Sequence, residues 1–242
     1  MTIWKKLFGG QPKQSKADFN EIVASCETPD LPQPFGYKTG WLALKASSSV
    51  LAAQALGAFE TKVVNWDSGL WGARPDASKG AWVFLTPPVE GWVLVHIELL
   101  AAPDHEDGAQ IMRDWLDQLS LSLGEAQYFG SYRVADFIAW MRSEAGTMTR
   151  GFAFVGGGDG TVLNFGDVTE AEQTFGFEVF NGLPAYQVDD VYADMMEADE
   201  ESVSLDEGLP MQIAAIWSIN PGDLGSQHKE AGNGLLARIP LP

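Results

Sequence analysis

Two short segments constrain this chain most, residues 81–86 and 91–97, because each is apolar on both faces of a strand. In the first, Trp82 and Phe84 alternate with Val83 and Leu85; in the second, Val93, Val95 and Ile97 alternate with Trp92 and Leu94. Successive side chains of a strand point to opposite faces, so a strand apolar on both is central and covered on both sides. Pro87-Pro88-Val89-Glu90 joins the two segments into a hairpin over 81–97.

The surrounding pattern predicts an α+β fold, with an antiparallel-rich sheet and several packed short helices. A meander over 126–165 follows from apolar runs at 126–132, 135–142, 149–155 and 161–165, with turns at Ala145-Gly146 and at Gly156-Gly157-Gly158-Asp159-Gly160. Further strands are expected near 40–46 and 61–66, and the tail 233–242 is expected to return as an edge strand. Helices are expected at 18–26 with Asp18 as N-cap, and through Leu56 with an N-cap offered by the run Ser47, Ser48, Ser49. Ile111, Met112, Trp115, Leu116 and Leu119 form the apolar stripe of another over 107–119. Thr169 and Glu172 have capping-box spacing. Later helices are expected around 190–198 and from Pro210 to Trp217, where Asn220-Pro221 stops the chain.

Apolar residues make up 45% of the 242 residues, too many for intrinsic disorder. The organisation read from this is a basic arm over 1–16, carrying Lys5, Lys6, Lys13 and Lys16, followed by a single domain over 17–242. The arm lacks the long apolar core and cleavage site of a signal peptide, and no apolar run reaches the roughly 20 residues of a membrane span. The lone Cys26 allows no internal disulfide and sits on the apolar stripe Phe19, Ile22, Val23, Cys26. A cytoplasmic location is the expectation.

Charge is distributed unevenly. From Gly151 to His228 the chain has fifteen Asp and Glu and no Lys or Arg, while the whole chain is −18. The densest part holds Asp189, Asp190, Asp194, Glu197, Asp199, Glu200 and Glu201, followed by Asp206 and Glu207. Such a field repels nucleic acid and anionic membrane and attracts basic proteins. Those first seven acids are the candidate partner-binding residues. The competing reading is a solvated face that keeps the protein soluble.

No motif specifies a reaction. Gly156–Gly160 leads into Thr161-Val162-Leu163, without the Gly-Lys-Ser/Thr or the following helix of a phosphate loop, so it reads as a hairpin loop. Asp104-His105-Glu106-Asp107 holds metal-ligand residue types, but four consecutive side chains diverge, and acids at a helix N-terminus explain them. His96 reads as a hydrogen-bonded core histidine, with Glu98 near enough in sequence to orient it, and His228 as exposed. Trp82, Trp92, Trp115, Trp140 and Trp217 fit core positions. Trp66 and Trp71 are the one pair placed for exposure, although a structural turn explains them better. No catalytic residue, metal ligand or cofactor is assigned.

Several segments read together resemble a known group. They are Trp41-Leu42-Ala43-Leu44-Lys45, Asn65-Trp66-Asp67-Ser68-Gly69, residues 83–92 around Thr86-Pro87-Pro88, Gln127-Tyr128-Phe129-Gly130-Ser131-Tyr132-Arg133-Val134, Ala139-Trp140 with Arg150-Gly151-Phe152-Ala153-Phe154, and residues 213–221. This set resembles a family of uncharacterised bacterial proteins, some of which look like immunity proteins encoded beside secreted antibacterial toxins. It spans most of 35–221, leaves out the arm and the acidic block, and carries no catalytic residue across. The resemblance implies a binding protein that sequesters a basic toxin partner. Two other classes stay open: a carboxylate-based hydrolase or transferase, and a housekeeping interaction protein.

Overall fold

The computed structural model describes residues 28–76, 80–97, 102–198 and 203–240. The expected arm, the helix at 18–26 and Cys26 lie outside these residues. Ten strands form one sheet: β1 (Gly40–Lys45), β2 (Glu60–Asn65), β3 (Arg74–Asp76), β4 (Gly80–Leu85), β5 (Trp92–Ile97), β6 (Glu125–Tyr132), β7 (Phe137–Glu144), β8 (Thr147–Val155), β9 (Gly160–Phe165) and β10 (Asn233–Ile239). Their order is β2-β10-β4-β5-β1-β6-β7-β8-β9, every described pairing is antiparallel, and β3 adds to β4. The fold class is α+β, with the hairpin and the meander in place.

The double-faced pattern works as argued. Val83, Leu85, Val93 and Val95 pack on one face with Leu42, Leu44 and Tyr128, under α1 (Ser49–Ala55) and α3 (Glu106–Leu123). Trp82, Phe84, Trp92 and Leu94 pack on the other with Trp41, Phe129, Trp140 and Phe152. That face is covered by α2 (Trp66–Gly72), α4 (Glu170–Gln173), α5 (Ala185–Glu197) and α6 (Leu209–Trp217). The helices sit where their caps direct them. The Ser48 side chain accepts from Leu51 N–H, and Thr169 and Glu172 form a complete capping box.

Three expectations are corrected. First, the C-terminal strand is not an edge: β10 lies between β2 and β4. Leu235, Leu236, Ala237 and Ile239 are all buried, so this strand is also apolar on both faces. Second, of the two readings of Trp66 and Trp71 the structural one holds and the exposed pair does not, the turn being a short helix. The Asn65 side chain accepts from Ser68 N–H and opens α2, which turns Trp66 inward against Phe84 at 5.6 Å and leaves Trp71 outside. Third, the acidic helix begins at Ala185, directly after Pro184, whose fixed φ suits a helix start. Gly156–Gly160 is the β8–β9 hairpin connection, with Gly157, Gly158 and Gly160 at positive φ.

The sheet parts locally beside His96. β3 takes the place of β5 next to β4 over Gly80–Trp82, so β4 and β5 pair at Phe84–His96 and Leu85–Val95. On its other side His96 lies opposite Trp41 of β1.

Candidate functional site

The acidic block resolves into residues with different tasks. On α5, Val188 is buried, and Val191, Tyr192 and Met195 pack against the aromatic core, with Tyr192 edge-on to Phe154 at 6.2 Å. That i, i+3, i+4, i+7 stripe turns Tyr186, Asp190, Asp194 and Glu197 outward along the opposite face, with Met196 beside them. Tyr186 is 68% exposed and Met196 58%. Among the described residues no salt bridge reaches Asp190, Asp194 or Glu197. Asp199, Glu200 and Glu201 lie outside the described residues.

Asp189 has another role. Its carboxylate accepts from Thr161 N–H at 2.8 Å and from Thr161 Oγ1 at 2.7 Å. Thr161 opens β9, the last strand of the sheet, so Asp189 occupies hydrogen-bonding capacity that an edge strand would otherwise present to another chain. The Asn164 side chain of β9 ties the neighbouring loop beside this edge, donating to the Phe180 and Leu183 carbonyls at 2.9 Å each. The contact also explains Gly160, where a Cβ would meet the Asp189 carboxylate. Asp189 therefore ties α5 to the sheet and holds the other acids in place. Asp206 is likewise committed locally, accepting from Gly208 N–H at 2.7 Å. Replacing Asp189 with alanine is expected to cost about 1–3 kcal/mol, the penalty for stranding a part-buried donor. Faster hydrogen exchange at the Thr161 amide is the direct readout; unchanged protection there would show that water replaces the carboxylate at no cost.

A second feature sits at the parting of the sheet. Residues 34–39, His96 and Gly222 line an open cavity of about 560 Å³. Its loop wall rests on the short turn Pro221–Asp223, to which Phe35 N–H donates through the Pro221 carbonyl at 3.3 Å. Gly36 has φ +117°, and a Cβ there would come within 2.9 Å of Pro221 Cγ, so glycine lets the loop lie close to the turn. The Phe35 ring meets the His96 ring at 4.9 Å. Lys38 is exposed and has φ +58°, a left-handed conformation that costs a lysine about 1 kcal/mol or more.

His96 departs from the sequence expectation. Its Nδ1 is buried and has no hydrogen-bond partner among the described residues, and Glu98 lies outside them. Burial alone holds its pKa down at about 4, so the ring is neutral near neutral pH. His105 lies at the start of α3 with Nδ1 2.7 Å from Asp104, and His228 is part-buried, 3.6 Å from Glu90. Among the described residues no group of three or more His, Cys, Asp or Glu is placed to hold a metal ion, and no helix is long and apolar enough to cross a membrane.

Sequence reasoning found the acidic residues of α5 but missed Tyr186 and Met196 among them, and missed the cavity. The signal for the first pair was present, since Tyr186 is four residues before Asp190 and thus on its face. For the cavity, the glycine-punctuated aromatic run Phe35-Gly36-Tyr37-Lys38 was the available cue. Comparison of the chain with protein-family models, curated proteins and solved structures gives no match.

Proposed function

We propose that this protein is a cytoplasmic binding protein of the immunity type, which captures and inhibits a basic toxin domain through the outward face of α5. The observation that carries this reading is the composition of that face: an exposed tyrosine and methionine among Asp190, Asp194 and Glu197. Tyrosine and methionine are enriched where partners dock, and surrounding acids steer a basic partner before contact. The rigid tie at Asp189 supports it further, because a pre-ordered face loses less entropy on binding. The family resemblance of the sequence points the same way.

The test is kinetic. The partner to try is any basic toxin-like protein whose gene proves to adjoin this one, purified for the assay. Its association rate should fall steeply with salt, as the Debye length shrinks from roughly 10 Å at 0.1 M to about 3 Å at 1 M. Changing Asp190, Asp194 and Glu197 together to Asn, Asn and Gln should slow association about tenfold or more at low salt, with little change in dissociation. Tyr186→Ala should instead speed dissociation. Association indifferent to both salt and the triple change, or the absence of any complex, would overturn the proposal.

A further inference from the structure

We infer that the cavity between residues 34–39, His96 and Gly222 is a binding site for a small aromatic monoanion, with its ring against Phe35 and Tyr37 and its carboxylate shared by Lys38 and His96. The site lies on other elements than α5 and does not depend on the role proposed for that helix.

Size comes first. A cavity of about 560 Å³ falls within the range of small-molecule sites, roughly 300–1,000 Å³, and is too small for a folded partner. Its wall is a shaped one, because Gly36 and the Phe35–Pro221 bond fix the loop against the turn.

Chemistry narrows the class. Phe35 and Tyr37 offer ring surface, and Tyr37 is 61% exposed. Aromatic pairs in offset or edge contact contribute about 0.5–1.5 kcal/mol beyond area burial. Lys38 is the cation among the described lining residues, and none of the described salt bridges engages it. One cation suits one negative charge. A polyphosphate would meet too little positive charge on a chain of −18.

The histidine supplies the second polar contact. His96 lines the cavity, and its Nδ1 is buried without a partner among the described residues, which leaves Nε2 as the ring nitrogen open to a ligand. A buried N–H without an acceptor is costlier to keep than a lone pair, which places the proton on Nε2 as a donor toward the cavity. A carboxylate satisfies that donor and Lys38 together. Two ring side chains, one donor and one cation border one opening, and Lys38 holds a left-handed backbone there.

The probe is 2-naphthoate, titrated into the full-length protein with nitrogen-15 in its histidines at neutral pH. Saturable binding with a Kd between about 10 μM and 1 mM is expected, with the His96 ring nitrogens moving and those of His105 and His228 staying in place. Lys38→Asn removes the charge while tolerating the left-handed backbone, and should weaken naphthoate binding about tenfold. The neutral 2-naphthamide should bind more weakly than naphthoate and be indifferent to that change. Three results would overturn the inference: no saturation up to roughly 10 mM, shifts confined to His105 or His228, or equal affinity of wild type and Lys38→Asn for naphthoate.

Discussion

Replacing Arg150 with methionine is expected to cost about 3–5 kcal/mol of folding stability, a large part of the roughly 5–15 kcal/mol that holds a typical protein folded. Arg150 is 1% exposed and Glu172 is fully buried, in a core of Trp140, Phe152, Phe177 and Phe180. Arg150 Nε donates to Glu172 Oε1 at 2.7 Å, and its Nη1 donates to Asn164 Oδ1 at 2.7 Å and the Phe165 carbonyl at 3.0 Å. Glu172 also accepts from Trp140 Nε1 at 2.8 Å and Thr169 N–H at 2.9 Å. The pair therefore joins β7, β8, β9 and α4 in an apolar setting; among the described residues Arg150 Nη2 has no hydrogen-bond partner and is held by the ion contact with Glu172 Oε1 at 2.7 Å. Removing one partner leaves the other charge buried and unpaired, which is where the cost arises. Glu172→Gln keeps the shape and should cost less than Arg150→Met. The double change Arg150→Met with Glu172→Met should be much less severe than the sum of its singles, because it strands no charge, although Trp140 and Thr169 lose an acceptor. Urea unfolding of the four proteins gives the cycle. Additive effects would show that the two charges act independently.

That pair bears on the proposed binding face. α5 packs on β9 and the aromatic cluster, and Arg150 and Glu172 hold the strands and turn beneath it. If α5 presents Tyr186, Asp190 and Asp194 to a partner, a firm base lowers the ordering cost on contact.

How much of this was legible in the sequence depends on the range of the interaction. The hairpin, the meander and the capping box rest on near neighbours in sequence, and residues 81–97, 126–165 and Thr169 to Glu172 show them. β10 was misplaced because pairing partners sit far away: Leu235 meets Val63 and Leu85. Its double-faced pattern argued against an edge, but short chain-end segments carry few periods to read. Asp189 was grouped with its neighbours because charge is visible in a sequence and a bond to Thr161, 28 positions away, is not. Arg150 and Glu172 look like surface residues by type, and their pairing emerges only from the fold. The run Phe35-Gly36-Tyr37-Lys38 marks only one wall of the cavity in the sequence; Gly222 and His96 join it through the Phe35–Pro221 contact, not through spacing.

Stability is also expected to fall by about 2 kcal/mol between pH 6.5 and 4.5 on account of His96 alone. Burial lowers its pKa from 6.5 to about 4 in the folded protein, whereas in the unfolded chain it titrates near the ordinary value of about 6.5. Between those values the unfolded state binds more protons, so stability decreases as pH falls. The contribution is fully present above about pH 6.5 and is lost as pH drops through about 4. Carboxylates titrate over part of the same window, so wild type must be compared with His96→Phe, in which they are common to both and cancel. The phenyl ring can keep the ring contact with Phe35 and takes no proton. The stability of wild type relative to His96→Phe should therefore decline by about 2 kcal/mol over that interval, measured by urea unfolding at each pH. A parallel pair of pH profiles would mean that His96 charges without penalty, by opening the cavity to water. Its Nε2–H would then be solvated before any ligand arrives, and the donor assigned to the cavity would hold little preference for a carboxylate over water.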